Sequence, residues 1–244
     1  GPPLLLLHGY PQTHLMWHKT APELSKYFTV VVADLRGYGN SLVLPGGKNH
    51  FNYSKREMAK DMVQLMDKLN FKSFFVAGHD RGGRVAHRMA RDFRKKILAL
   101  SVLDICPTLD MYEKTDEKFA KSYFHWFFLI QPAPLPERMI MSDPRKWIKN
   151  CLDKWSGNHK FGSVEEAYLK SFKQTEKWRG TIFWYASTKT KLDEYGIKLL
   201  RKYISKRSRS KNEYLITNLE DELSLHEIYN ELLFKVKANL KINY

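Results

Sequence analysis

The sequence Gly-His-Asp-Arg-Gly at residues 78–82 constrains the fold of this chain more than any other segment. An apolar run at residues 74–77 precedes it and predicts a short buried strand, while residues 85–90 after it predict a helix. The glycines on either side of the aspartate allow the strained backbone of a sharp turn between strand and helix. The pattern therefore predicts a nucleophile elbow, a turn that lifts the side chain of Asp80 above the edge of a sheet.

A carboxylate at the tip of this turn restricts the chemistry that the site can carry out. Such a group is ionised at neutral pH without help from a base, and it can displace a leaving group from saturated carbon, which gives an ester on the enzyme. Hydrolysis of that ester needs a histidine base and an acid that orients it, in the chain order nucleophile, acid, histidine. In isolation, the motif favours an ordinary aspartate that caps a helix, and only its surroundings favour the nucleophile.

The first part of the chain alternates between predicted strands and predicted helices. The strands are expected at residues 4–7, 29–33, 74–77 and 98–103, and the helices at residues 16–27 and from Ser54 onward. Continuous apolar strands in such an alternation indicate an α/β fold with a mostly parallel sheet and helices on both faces. The active site of such a sheet lies at the carboxyl ends of its strands.

Four candidate site residues come just after predicted strands: His8, Tyr10, Asp80 and Asp104. We expect the backbone amides of Tyr10 and Arg81 to face the pocket as a pair of donors to developing negative charge. Asp104 closes an apolar run, and its position suits either an acid that orients a histidine or an ordinary turn residue.

Length and composition restrict the class of protein. The chain has 244 residues, of which 43% are hydrophobic, so it fits one globular domain with room for an inserted lobe. No apolar run approaches the ~18 residues of a membrane span, so no membrane partner is expected. Two cysteines without metal-ligand spacing fit a reducing compartment, and we expect a cytoplasmic protein. No metal and no organic cofactor are expected, since no motif indicates one.

The formal net charge of +15 raises the question of an anionic partner. Much of the basic clustering lies at residues 198–211, which we interpret as a solvated face rather than a nucleic-acid site. A positive field would also attract a small carboxylate substrate. The chain begins at Gly1 without a methionine and at the edge of a predicted strand, so we expect that N-terminal strands are missing.

Five segments carry a resemblance to the α/β-hydrolase family, and within it to the haloacetate and fluoroacetate dehalogenases. They are LLLLHGYPQ at residues 4–12, ADLRGYG at 33–39, GHDRGGR at 78–84, LDICPT at 103–108 and YFHWFF at 123–128. The resemblance covers roughly residues 1 to 180. The first two motifs are general to the superfamily, whereas HDRGGR followed by a later His-Trp pair is far more specific.

This resemblance implies a role for each matching side chain. Asp80 would be the nucleophile, Arg81 and Arg84 would hold the carboxylate of the substrate, and Asp104 would orient the catalytic histidine. The departing halide would be received by His125 and Trp126, with Tyr185 as the nearest candidate for a third donor. Guanidinium groups suit a carboxylate better than an ammonium does. The alternatives are surface ion pairs for the arginines and an aromatic core for the His-Trp pair.

The resemblance also divides the chain into three parts. Residues 1–108 would form the first part of the core, residues 109–190 a helical cap interrupted by prolines, and residues 191–244 a divergent end of the core. The family's last core strands and its glycine-histidine motif have no clear counterpart near the C-terminus. His226 is the sole histidine after His159, and it is either the catalytic base or a residue on a helix surface.

The expected function is therefore hydrolytic dehalogenation of a small 2-haloacid through an aspartyl ester. An epoxide hydrolase is the enzymatic alternative, and a carboxylate-binding protein that cannot complete turnover is the second. The expected partner is the small haloacid itself, with no nucleic acid and no membrane. The preferred halogen and the formation of a homodimer stay open.

Overall fold

The computed structural model describes residues 1–106, 108–156 and 163–171 of the chain. Four strands in these residues form one sheet: β1 (Pro3–Leu7), β2 (Thr29–Ala33), β3 (Phe74–His79) and β4 (Ile97–Leu103). All neighbouring strands are parallel and their order is β2-β1-β3-β4. The predicted parallel sheet is confirmed, and β2 has the predicted bounds.

Both faces of the sheet are buried, which explains why its strands are continuous apolar runs. Because side chains alternate along a strand, Leu5 and Leu7 of β1 enter one core while Leu4 and Leu6 enter another. The first core is covered by α2 (Lys55–Lys68) and α3 (Arg81–Asp92), and the second by α1 (Thr20–Ser25) and the turn before it. The helices on both faces are thus confirmed.

The helix predicted at residues 16–27 is divided in the structure, and this part of the prediction is wrong. A 3₁₀ turn occupies His14–Trp17, with the hydroxyl of Thr13 accepting a hydrogen bond from the amide of Leu15, and α1 begins only at Thr20. Pro22 gives the physical reason. Proline lacks the amide hydrogen that a continuous helix would need at that position, but it is tolerated in a first turn.

In the part of the chain that the structure describes, six helices follow β4: α4 (Thr108–Glu113), α5 (Glu117–Ser122), α6 (Phe124–Phe128), α7 (Leu135–Ser142), α8 (Pro144–Trp155) and α9 (Ser163–Ser171). We call them the helical segment. Pro132 and Pro134 lie between α6 and α7, where the predicted interruption falls. The segment shares the first core with the sheet, to which it contributes Trp126, Ile148 and Leu152.

The order of the strands determines where a site can form. From β1 the chain crosses to β2 on one side and then to β3 on the other, so the connections leave β1 and β3 in opposite directions. In open parallel sheets, ligands bind beyond the carboxyl ends of strands at such a switch point. The residues directly after β1 and β3 are those of the predicted site, from His8 to Tyr10 and at Asp80.

Several predictions concern residues that the structure does not describe. The limits of the cap at residues 109–190 and the divergent part at 191–244 fall partly or wholly outside the described ranges, as does the expected loss of core strands there. Among the helices of residues 1–106, 108–156 and 163–171, none is long and apolar enough to cross a membrane.

Candidate active site

The turn between β3 and α3 has the geometry of the predicted elbow. Asp80 lies between the two elements with φ of 45° and ψ of −110°, a conformation that few residues adopt. A Cβ atom on Gly78 would stand 2.3 Å from the carbonyl carbon of Gly82, and one on Gly82 would stand 2.4 Å from the carbonyl oxygen of Leu7. Both glycines are therefore required by close backbone contacts, and the elbow packs directly against the end of β1.

The Asp80 carboxylate is held by the loop after β1. Its Oδ2 atom accepts a hydrogen bond of 3.0 Å from the amide of Tyr10 and lies 4.0 Å from Nε of Arg81. Burial by itself would raise the pKa of this carboxyl, but the positive charges of Arg81 and Arg84 and the Tyr10 amide outweigh it, so the pKa is lowered. Asp80 is thus an ionised carboxylate whose side chain is only partly exposed, at 26%.

Of the two backbone amides that were predicted to face the pocket, that of Tyr10 donates its hydrogen bond to the Asp80 carboxylate. The second amide belongs to Arg81, the first residue of α3, where helix amides have no partner within the helix.

Arg81 is fixed beneath this site by aromatic rings. The side chain is 1% exposed, its Nη1 donates to the hydroxyl of Tyr38 at 2.8 Å, and its guanidinium lies 4.7 Å from the centre of the Tyr10 ring. Burial lowers the pKa of Arg81 below its usual value. Hydrogen bonding and ring contact together hold a cation next to Asp80.

Arg84 comes one helical turn later and faces the helical segment. Its Nη1 donates to the hydroxyl of Thr108, its Nη2 lies 3.2 Å from the sulfur of Met111, and its guanidinium is 4.8 Å from the centre of the Trp126 ring. Burial lowers the pKa of Arg84 to about 10, so the side chain remains positively charged at neutral pH. The predicted pair of arginines is therefore buried around Asp80, not engaged in surface ion pairs.

The predicted His-Trp pair lies in α6 and belongs to the wall of the same cavity. His125 stacks on Tyr10 with ring centres 5.8 Å apart, and its ring centre lies 4.6 Å from that of Trp155. Burial, reinforced by the charge of Arg81, lowers the pKa of His125 to about 3. The imidazole is neutral at ordinary pH and carries one N–H donor, while Trp126 supplies an indole N–H.

Asp104 follows β4 in a left-handed conformation, with φ of 51°. Its side chain is 91% exposed, and Oδ2 lies 4.0 Å from Nε2 of His79, the residue before Asp80. The carboxylate stands on the rim of the cavity, the position from which it was predicted to orient a base. His79 is the histidine beside it in the described part of the chain.

His8 supports the site from below and is absent from the cavity wall. The ring is fully buried, Nε2 accepts a hydrogen bond of 3.0 Å from the amide of Leu35, and Nδ1 lies 2.9 Å from the carbonyl of Gly9. These contacts assign the hydrogen to Nδ1 and join the ends of β1 and β2. Burial lowers the pKa of His8 to about 4, so the ring is neutral.

The side chains enclose a cavity of about 500 Å³ between the rim of the sheet and the helical segment. Its wall includes Tyr10, Asp80, Arg84, Asp104, His125 and Trp126. Among the wall residues that had been given no role from the sequence are Cys106, Tyr123 and Cys151. Cys106 comes two residues after Asp104 at the same strand end, and this position in the sequence could have indicated that it lies at the site.

Two predicted site residues, Tyr185 and His226, lie outside the described residues. Their roles stay predictions. In the residues that the structure describes, no group of three or more His, Cys, Asp or Glu side chains could hold a metal ion.

Comparison with known proteins identifies the class. A model of the α/β-hydrolase fold family matches residues 2–214, and the chain therefore belongs to the α/β-hydrolase family. A solved structure of an α/β hydrolase from Nostoc sp. PCC 7120 superposes with a TM-score of 0.77 at 48% identity, covering 83% of this chain and 70% of that one. The hydrolase fold predicted from the motifs is confirmed.

Two curated relatives show which enzymes the chain resembles. The chain is 49% identical over 179 residues to a fluoroacetate dehalogenase of Burkholderia sp., a match that covers 73% of this chain and 58% of that protein. It is 31% identical over 195 residues to a soluble epoxide hydrolase of Corynebacterium sp. (strain C12), covering 77% of this chain and 65% of that protein. The chain thus spans less than two thirds of the length of either relative, and it contains a dehalogenase-like segment.

Proposed function

We propose that this protein hydrolyses small 2-haloacids, such as fluoroacetate or chloroacetate, through an ester on Asp80. The observation that carries the proposal is one cavity whose wall combines an ionised carboxylate at Asp80, the buried guanidinium of Arg84 and a neutral histidine-tryptophan pair. The 49% identity to a fluoroacetate dehalogenase supports the same reaction.

The cations account for the choice of an acid as substrate. Arg84 lines the cavity at 7% exposure, and its Nε makes no hydrogen bond within the described part of the chain. A buried guanidinium with a remaining donor favours a bound carboxylate, since charge-assisted hydrogen bonds are the strong ones. Arg81 adds positive charge 4.0 Å from the Asp80 carboxylate but is absent from the cavity wall, so the haloacid would bind with its carboxylate at Arg84.

In the first step, the oxygen of Asp80 that Tyr10 does not hold attacks the α-carbon of the acid. A carbon–oxygen bond forms, the carbon–halogen bond breaks, and the halide leaves with the bonding electrons. The N–H groups of His125 and Trp126 would donate to the halide as its charge develops. Because His125 is neutral, it stabilises fluoride by hydrogen bonding without protonating it.

In the second step, water attacks the carbonyl carbon of the ester, and the negative charge develops on the former Oδ2. The Tyr10 amide, 3.0 Å from this atom before reaction, would stabilise that charge. Water must lose a proton, for which we propose His226 as base, oriented by Asp104. The bond between the ester carbonyl carbon and the oxygen that attacked the substrate then breaks, and the base returns its proton to the leaving alkoxide. The hydroxyacid departs, and the Asp80 carboxyl loses its proton to water.

Halide release tests the proposal. Purified protein incubated with fluoroacetate or chloroacetate should release halide in large excess over protein, and Asp80→Asn should release none. Asp153→Asn, on the exposed surface of α8, is the matched control and should retain full activity. No halide from folded wild-type protein with either acid would end the proposal.

An epoxide hydrolase is the second candidate. The 31% identity to a soluble epoxide hydrolase favours it, as does the Tyr123 side chain on the cavity wall, since a phenol could donate to an epoxide oxygen. The two buried cations favour an anionic substrate instead. Diol formation from styrene oxide without any halide release from haloacids would decide for this alternative. A single equivalent of halide with a persistent ester on Asp80 would decide for a protein that cannot complete turnover.

A further inference from the structure

Two cysteine thiols share the cavity with the Asp80 carboxylate, and the proposed reaction uses neither of them. Cys106 is partly buried and follows β4 at the rim of the cavity, two residues after Asp104. Cys151 lies in α8 and is 5% exposed. The chemistry matters because 2-haloacids with good leaving groups alkylate thiols.

Cys106 lies on the wall of the same cavity as Arg84, the arginine that we expect to hold the substrate. A negative charge on the Cys106 thiol would favour the charged form of Arg84. The first turn of α3 packs against the same loop, since a Cβ atom on Gly83 would stand 3.0 Å from the side chain of Ile105. The same cation has a buried Nε without a hydrogen bond in the described part of the chain, so it can pair with an anion near this sulfur.

We propose that Cys106 is a second, competing nucleophile in the cavity, at which bromoacetate and iodoacetate carboxymethylate the protein. The inference rests on the proposed binding of the acid at Arg84. The sulfur of Cys106 attacks the α-carbon, a sulfur–carbon bond forms, the carbon–halogen bond breaks, halide leaves, and the thiol proton passes to water. No oxidant or other reactant is required.

The product differs from the ester on Asp80 in one decisive respect. A thioether is not hydrolysed by water, so each alkylation of Cys106 is permanent. The added carboxymethyl group places a carboxylate next to Arg84, where it occupies the position of the substrate. Alkylation therefore inactivates the protein, and the proportion of inactivation to turnover rises with the reactivity of the halide toward thiols. Fluoroacetate, with its poor leaving group, is expected to spare the thiol.

Cys151 provides an internal comparison within the same cavity. Burial raises the pKa of its thiol to about 12, so the reactive thiolate is scarce at neutral pH. It also lies on α8, whereas Cys106 lies in the loop between β4 and α4. A reaction governed by general thiol reactivity has no reason to depend on Arg84, whereas one guided by the carboxylate must.

Iodoacetate and iodoacetamide distinguish alkylation guided by the carboxylate from general thiol reactivity. The two reagents share a leaving group, and only iodoacetate has a carboxylate. Peptide mass spectrometry on the intact chain should show Cys106 carboxymethylated by iodoacetate at least about tenfold faster than it is carbamidomethylated by iodoacetamide. Cys151 should show no such preference. Arg84→Met should abolish the preference at Cys106, and Cys106→Ser should remove the inactivation that iodoacetate causes.

The result that would overturn the inference is a Cys106 labelled equally fast, or faster, by iodoacetamide. Retention of the iodoacetate preference in Arg84→Met would do the same. Labelling in Asp80→Asn separates this inference from the proposed function. If that variant is carboxymethylated at Cys106 while wild-type protein releases no halide from chloroacetate, the thiol site stands and the proposed hydrolysis fails. If wild-type protein turns over chloroacetate but Cys106 resists iodoacetate, the hydrolysis stands and this inference fails.

Discussion

Lowering the pH from 7 to 5 should destabilise this protein through two buried histidines. Burial lowers the pKa of His8 to about 4 and that of His125 to about 3, whereas both rings have a pKa near 6.5 in the unfolded chain. Between these values the unfolded state binds protons that the folded state does not. The free energy of unfolding therefore rises with pH in this window, and stability is lost as the pH falls below 6.5.

The size of the effect follows from the same values. At pH 5 each ring is about 1.5 pH units below its unfolded pKa and is still neutral in the folded state, which corresponds to about 2 kcal/mol per histidine. Two rings together give about 4 kcal/mol, a large share of the stability of a typical domain. Asp34 and Asp80 also have lowered pKa values, but their effect on the free energy of unfolding appears mainly below about pH 4. They therefore contribute little to the difference between pH 7 and pH 5.

Urea unfolding followed by tryptophan fluorescence at pH 7 and pH 5 measures this difference. His125→Gln should reduce the loss between the two pH values by about 2 kcal/mol, because one ring no longer gains a proton on unfolding. His18→Gln, at an exposed position, is the matched control and should leave the loss unchanged. A loss that is the same in His125→Gln as in the wild type would refute the reasoning.

Three further predictions concern single side chains of the site. Tyr10→Phe removes the acceptor of the 2.6 Å hydrogen bond from Nε1 of Trp147, so the free energy of unfolding should fall by about 1–2 kcal/mol; an unchanged urea midpoint would contradict this. Trp126→Phe removes a proposed halide donor and should lower kcat for fluoroacetate by roughly 100-fold, and for chloroacetate by less, since chloride needs less help to leave. An equal loss for both acids would point to packing instead. Arg84→Lys should raise KM for the haloacid about tenfold or more, because an ammonium cannot replace the guanidinium fork; an unchanged KM would place the substrate carboxylate elsewhere.

The elements that carry the site could be predicted because their signals are local. β2 is itself a run of β-branched residues, and the elbow at Asp80 is set by the glycines that its close contacts require. The helix predicted at residues 16–27 was wrong because the apolar pattern alone does not show that Pro22 prevents a continuous helix there. Local pattern also placed Tyr10, Asp80 and Asp104 at one edge of the sheet.

The contacts that hold the site together could not be predicted, since they join residues far apart in the chain. The hydrogen bond between Trp147 and Tyr10 spans 137 positions, and the one between Arg81 and Tyr38 spans 43. Aromatic residues of the helical segment follow no period that would show which of them face the cavity. The position of His8 beneath the wall is of the same kind, because it depends on the backbone amide of Leu35, which follows the neighbouring strand.

The nucleophilic role of Asp80 can be tested by following where oxygen from water is first incorporated. Wild-type protein in excess over chloroacetate, in water enriched with ¹⁸O, should incorporate the heavy isotope into Asp80, which peptide mass spectrometry would detect as a gain of mass on the peptide that contains residues 78–84. If hydrolysis is blocked, the same peptide should carry a carboxymethyl ester instead. Halide release with an unlabelled, unmodified Asp80 and all of the label in the hydroxyacid would show that water attacks the substrate directly, which contradicts a nucleophilic role for Asp80.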